Sequence, residues 1–232
     1  MARDPHIGTL GENSLHAALK AAIAQPGDRF EVPVDGYVID IVRGDQLIEI
    51  QTANFAAMKR KLAKLTRKHR VHLVHPIAAE KWIVKYGPDG ETWLDRRRSP
   101  RHGTVFDVFR ELVSFPHLLR DGSLTLEVLL THEEEIRVND GRGSWRRQGW
   151  SIADRVLVDI LERYPLAGPA DFRALLPADL PEVFTTRDLA DRLGESINLM
   201  GKMAYCLREM GVIEHVGSRG RSYLYTCGNG SA

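Results

Sequence analysis

The chain has 232 residues, 43% hydrophobic and 27% charged, with 32 Lys+Arg against 31 Asp+Glu. That is globular composition, and it excludes disordered and collagen-like classes. No apolar run approaches the roughly 20 residues of a membrane helix, the first residues lack a secretory apolar segment, and two cysteines, Cys206 and Cys227, cannot build a disulfide framework, so a cytoplasmic protein with no membrane partner is expected.

Residues 11–24 read as an amphipathic helix, with Leu15, Ala18, Leu19, Ala22 and Ile23 at helical spacing and a Gln25-Pro26-Gly27-Asp28 stop. Three short β-rich runs follow at 30–34, 36–42 and 46–51, separated by Asp35-Gly36 and Gly44-Asp45, which are hairpin junctions. Phe55, Met58, Leu62 and Leu65 then mark one face of a helix whose remaining arc holds Lys59, Arg60, Lys61, Lys64, Arg67 and Lys68. Residues 71–74 and 81–86 are strand candidates. The basic stretch 96–103 reads as a loop, 105–113 as a helix, and 124–130 and 135–138 as strands.

From residue 152 the texture changes. A helix is expected over 152–164. A second opens at Thr185, with Thr185 and Asp188 spaced as a capping box, and a third runs from the Ser196 cap to Gly211. A hairpin with Arg219-Gly220-Arg221 at its tip closes the chain. Helix, turn, helix and hairpin in that order resemble a winged helix-turn-helix. Two domains are therefore expected, 1–150 and 151–232, with 87–150 an extension of a core at 7–86.

Charge is distributed unevenly. Residues 1–50 carry −4, residues 51–79 carry +7 with no acid at all, residues 80–150 balance with 12 of each sign, and residues 151–232 carry −2. The +7 stretch suits a polyanionic partner. Intrahelical ion pairs would ordinarily place Glu among those lysines, so Lys59, Arg60, Lys61, Lys64, Arg67 and Lys68 are read as nucleic-acid contacts. Arg96, Arg97, Arg98, Arg101, Arg142, Arg146 and Arg147, beside Trp145 and Trp150, extend that surface. Lys202, Arg219 and Arg221 are the cationic candidates of the terminal module, which is equally suited to docking a protein partner or a second copy. His69, His72 and His75 are read as surface or turn residues.

The chemistry-bearing feature is a pair of carboxylates set in apolar strands, Asp40 between Ile39 and Ile41 and Glu49 between Ile48 and Ile50. A carboxylate there is costly to bury unless it is paired or binds a cation. Two on adjacent strands suit a hard divalent ion, Mg²⁺ or Mn²⁺, and Glu12 on the first helix could supply a third.

Asp40, eight residues, then Glu49-Ile50-Gln51, after a helix with Glu12 and before a basic helix, resembles the PD-(D/E)xK nuclease superfamily, most closely its restriction-endonuclease-like and Holliday-junction-resolvase-like branches. The resemblance implies an α/β fold, a mixed sheet flanked by helices, and metal-dependent hydrolysis of DNA phosphodiesters, with RNA not excluded, in repair, recombination or defence. It makes Asp40 and Glu49 metal ligands, Glu12 an auxiliary ligand, and puts Gln51 where the family carries lysine. Glutamine can orient a water but brings no charge. Lys20 and Lys59 are the lysines proposed to lie nearby. The alternative is a nuclease-like protein without activity that binds or regulates.

Overall fold

The structure, a computed structural model, describes residues 14–228. Its elements run α1 (Ser14–Ile23), β1 (Arg29–Val34), β2 (Tyr37–Arg43), β3 (Gln46–Ile50), α2 (Phe55–Leu65), β4 (Arg70–Tyr86), β5 (Trp93–Arg98), α3 (Phe109–Leu112), β6 (Leu124–Val138), β7 (Ser151–Leu166), α4 (Pro169–Ala174), α5 (Thr186–Leu193), α6 (Ile197–Glu209), β8 (Ile213–Arg219) and β9 (Ser222–Cys227). Seven strands form one mixed sheet in the order β1-β2-β3-β4-β6-β7, with β5 also paired to β4, while β8 and β9 form a separate hairpin. The fold is mixed α/β, a sheet flanked by helices. The chain divides into two compact units, and β4 and β6 pass from one into the other.

One unit comprises Arg29–His75, Val105–Val128 and residues 164–228. Its first hairpin turns at Asp35-Gly36 with φ of 49° and 85°, both left-handed, as a two-residue turn matched to strand twist requires. β2 and β3 are antiparallel, whereas β3 and β4 are parallel. A parallel pair needs a crossover, and α2 provides it. Phe55, Met58, Leu62 and Leu65 are the buried residues of α2, as their spacing dictates. Phe55 stacks on Phe115 with ring centroids 5.4 Å apart. Leu199, Met200, Met203 and Leu207 of α6 are buried, and α6 packs on α3 and on the turn Pro116–Leu119, so the C-terminal helices share this core.

The other unit comprises residues 14–28, Pro76–Thr104 and Leu129–Arg163. α1 buries Leu15, Leu19 and Ile23, and the Ser14 hydroxyl donates to the Asp154 carboxylate. Thr131, Glu133 and Glu135 alternate onto one face of β6 and are buried. The charges there are satisfied locally. Burial pushes the Glu135 carboxyl up, but the bonds it accepts from Arg137 at 2.5 Å and Lys81 at 3.0 Å together outweigh it and hold the carboxyl below the usual range. Glu133 accepts from Thr131 at 2.7 Å, and burial pushes its carboxyl up.

Several sequence expectations hold. The three β-runs, α2, the Thr185–Asp188 capping box and the Ser196 cap are all present. Others are corrected. Residues 152–164 form β7, not a helix. Ile152, Val156, Ile160 and Tyr164 recur every four residues, a spacing that lies on one face of a strand as well as of a helix, and β-branched content with pairing to β6 decides for the strand. The separate runs 71–74 and 81–86 are one strand of 17 residues, and 124–130 and 135–138 are one strand of 15. Arg96–Arg98 belong to β5 instead of a loop, and 105–113 is a 3-10 turn followed by one α turn. His75 is 5% exposed, and its Nδ1–H donates to the Gln51 carbonyl, 2.6 Å away, with Phe55 at its ring edge; the surface assignment fails because its strand is central to the sheet.

Candidate phosphodiester and metal site

The β2–β3 register pairs Ile41 with Ile48 and Val42 with Leu47. One step further along, Asp40 stands across from Glu49, so the pair shares a sheet face. The two are tied together through the backbone. The Asp40 carboxylate accepts from the Ile50 N–H at 2.8 Å, and the Asp40 backbone favours the charged form of the Glu49 carboxyl.

Glu49 is 5% exposed. One oxygen, Oε2, accepts from the Lys61 ammonium at 2.6 Å. The other, Oε1, is buried with no hydrogen-bond partner. Burial is the largest influence on this carboxyl and, with the neighbouring Asp40 charge, outweighs Lys61, so it is pushed up to about 7. Lys61 also donates to the Val38 carbonyl at 2.8 Å, which fixes the ammonium between the two strands.

Lys61 is the lysine that the sequence reading did not assign to this place. It lies three residues after Met58 in α2, at the rim of the buried stripe, and that spacing was the available signal. Lys59 is exposed instead. The Gln51 amide donates to the nearby Ala53 carbonyl, and its backbone N–H donates to Val74 at 2.9 Å, so Gln51 is committed to the end of its strand. Glu12 lies outside the described residues. Among the described residues no group of three or more His, Cys, Asp or Glu side chains gathers around a common point.

The cationic arc of α2 divides in two. Lys61 faces Glu49, and Lys64 donates to the Asp35 carbonyl at 2.6 Å. Lys68 lies 3.9 Å from the Asp35 carboxylate, which also meets His69 at 3.0 Å. The His69 hydrogen bond above all, with the surrounding lysines, holds Asp35 below its usual range. Lys59, Arg60, Arg67 and Lys68 remain exposed. In the C-terminal segment Arg219 and Arg221 are exposed on either side of Gly220 at the β8–β9 tip, and Lys202 is half-buried on α6.

A family model for a domain of unknown function, DUF8091, matches residues 13–167. The chain belongs to that family. The matched region holds both carboxylates, Lys61 and all of β1 to β7. A protein of Treponema pallidum (strain Nichols), named "Uncharacterized protein", is 31% identical over 220 residues, 94% of this chain and 86% of that one. No solved structure matches the chain. No helix among the described residues is long and apolar enough to cross a membrane.

Proposed function

We propose that this member of the DUF8091 family is a Mg²⁺- or Mn²⁺-dependent nuclease of PD-(D/E)xK type that hydrolyses phosphodiester bonds in DNA. The observation that carries the reading is the buried Glu49 Oε1, left without a partner beside a second carboxylate, Asp40. A buried acceptor without a partner is costly, and a hard cation shared with Asp40 would satisfy it. When bound, such an ion lowers the pKa of a coordinated water and offsets charge on a phosphate. The chain's own groups do the rest. Asp40 is held in place by the Ile50 N–H, and Glu49 by Lys61. Lys61 brings the positive charge that Gln51 lacks, on the side of Glu49 away from its vacant oxygen, where it can support charge building on a phosphoryl group. Exposed Lys59, Arg60 and Arg67 then track the nucleic-acid backbone.

α5, α6 and the β8–β9 hairpin fit a winged-helix module in which Lys202, Arg219 and Arg221 meet nucleic acid, or whose α6 side docks a partner or second copy. We take the reaction to be cytoplasmic, in keeping with two free cysteines.

The test is incubation with single-stranded, duplex and branched DNA, with RNA alongside, in Mg²⁺ or Mn²⁺. Cleavage that is abolished by EDTA and by Asp40→Ala and Glu49→Ala supports the reading; cleavage indifferent to both substitutions refutes it. One observation favours a second reading, a binding protein without activity: Lys61 already neutralises Glu49 at Oε2. That protein would bind DNA without divalent ions and give no calorimetric signal with Mn²⁺.

A further inference from the structure

The chain has four tryptophans, and all four lie on two hairpins of the unit that does not contain Asp40 and Glu49. Trp82 and Trp93 are on β4 and β5, and Trp145 and Trp150 are in the connection between β6 and β7. The two hairpin tips are neighbours, since the Asn139 N–H at the end of β6 donates to the Tyr86 carbonyl at the end of β4. Trp145 is 83% exposed and Trp93 61% exposed, with Leu94 beside it exposed as well. A large aromatic surface left in water marks an interaction site.

Cations accompany three of the rings. The Arg96 guanidinium lies 4.0 Å from the Trp82 ring centroid, the Lys85 ammonium 4.7 Å from Trp150, and the Arg146 guanidinium 5.4 Å from Trp145. Residues 85–101 and 139–151 together hold eight Lys/Arg against four Asp/Glu, and of the eight, Arg96 and Arg98 are paired with Glu134 and Glu80 from outside these stretches. Arg97 and Arg142 add exposed charge without an ion pair among those described. Exposed rings interleaved with guanidinium groups and a net positive field are what a single-stranded polyanion with flat bases requires. Bases stack on the rings while the backbone follows the arginines. A duplex keeps its bases stacked inside and offers nothing to Trp93 or Trp145. A protein partner would be met by an apolar core with charges at the rim, whereas here guanidinium groups lie against the Trp82 and Trp145 rings themselves.

We infer that this hairpin end is a single-strand nucleic-acid binding surface, with Trp93 and Trp145 as base-stacking platforms and Arg97, Arg142 and Arg146 as backbone contacts. It deepens the nuclease reading by giving the substrate a single-stranded segment, and it rests on that reading only for the nature of the polymer. Binding here needs no divalent ion.

The experiment is fluorescence anisotropy of a labelled 20-nucleotide oligo-dT strand in EDTA, with tryptophan emission followed in parallel. The 232-residue chain is expected to bind the strand tighter than a duplex of equal length and to lose tryptophan emission on binding. Trp93→Ala and Trp145→Ala, on exposed side chains, are expected to weaken binding about tenfold each, and Arg97→Ala with Arg146→Ala to flatten the salt dependence. Because the strand is bound in EDTA, the result does not depend on an ion at Asp40 and Glu49, which separates failure of this surface from failure of the nuclease site. Binding unchanged in the double tryptophan variant, preference for the duplex, or capture by anionic phospholipid vesicles with no oligonucleotide binding would each overturn the inference.

Discussion

Glu49 makes the sharpest test because its perturbation is both large and directional. Its carboxyl ionises near 7 where 4.5 is ordinary, chiefly through burial, so the folded state favours the protonated form. That difference amounts to about 3 kcal/mol against the charged form at alkaline pH. The associated stability is fully present below pH 4.5 and is lost as pH rises through 7. Glu49→Gln keeps the shape and removes the ionisation, so the variant should equal the parent near pH 4.5 and exceed it by up to about 3 kcal/mol at pH 9 in EDTA. Divalent ions act in the opposite sense, since a bound cation stabilises the carboxylate. Millimolar Mn²⁺ or Mg²⁺ should therefore raise the parent's stability above pH 7 and leave Glu49→Gln nearly unchanged. Urea midpoints across pH 4.5–9, with and without the ion, measure both effects, and ¹³C-carboxyl NMR reads the titration directly. Parallel pH curves for parent and variant, or a carboxyl titrating near 4.5, would refute the buried, cation-seeking picture of this residue.

Three further outcomes follow from the same geometry. Lys61→Met should move the Glu49 titration still higher and cost about 3 kcal/mol at pH 9, with much less at pH 6 where Glu49 is protonated; NMR titration with urea midpoints at both values checks it. Phe55→Ala opens a cavity beside Phe115 and His75 at a site with no exposure, and should lower unfolding free energy by about 3–5 kcal/mol in urea titration. Asp188→Ala removes the reciprocal Thr185–Asp188 cap, and should cost about 1 kcal/mol. Because Asp188 is held below its ordinary range by Thr185, that difference should persist above pH 4 and fade as pH falls, which urea midpoints at pH 7 and pH 3 compare.

The paired carboxylates were legible because two cues coincide, a glycine-bearing turn between alternating strands and an isoleucine on each side of each acid. The alternation places Asp40 and Glu49 on one face before any coordinates are known. The reach of Lys61 was not legible, since four methylenes let a lysine point outward or fold back, and only the position of β2 beneath α2 settles which. The same holds for Lys64, whose ammonium is drawn to a carbonyl freed by the Asp35-Gly36 turn. β7 was misread because a four-residue period satisfies both helix and strand, and the partner that decides between them, β6, is a neighbour only in space. His75 gave no cue at all, since a histidine among apolar residues looks the same in a surface strand and a central one.

The interleaving of the two units constrains how the chain can be shortened or assembled. Asp40 and Glu49 emerge early in synthesis, yet the unit that holds them is completed only by α6 and the terminal hairpin, more than 140 residues later. The tryptophan-bearing unit is complete once β7 is made. A chain stopped at residue 150 would lack β7, leave β6 with an open edge for other strands to add to, and strip the cover from Phe109 and Leu112. The carboxylate pair is thus housed in a finished unit only in a chain made to its last helix, and fragments carrying the early hairpin alone are expected to aggregate.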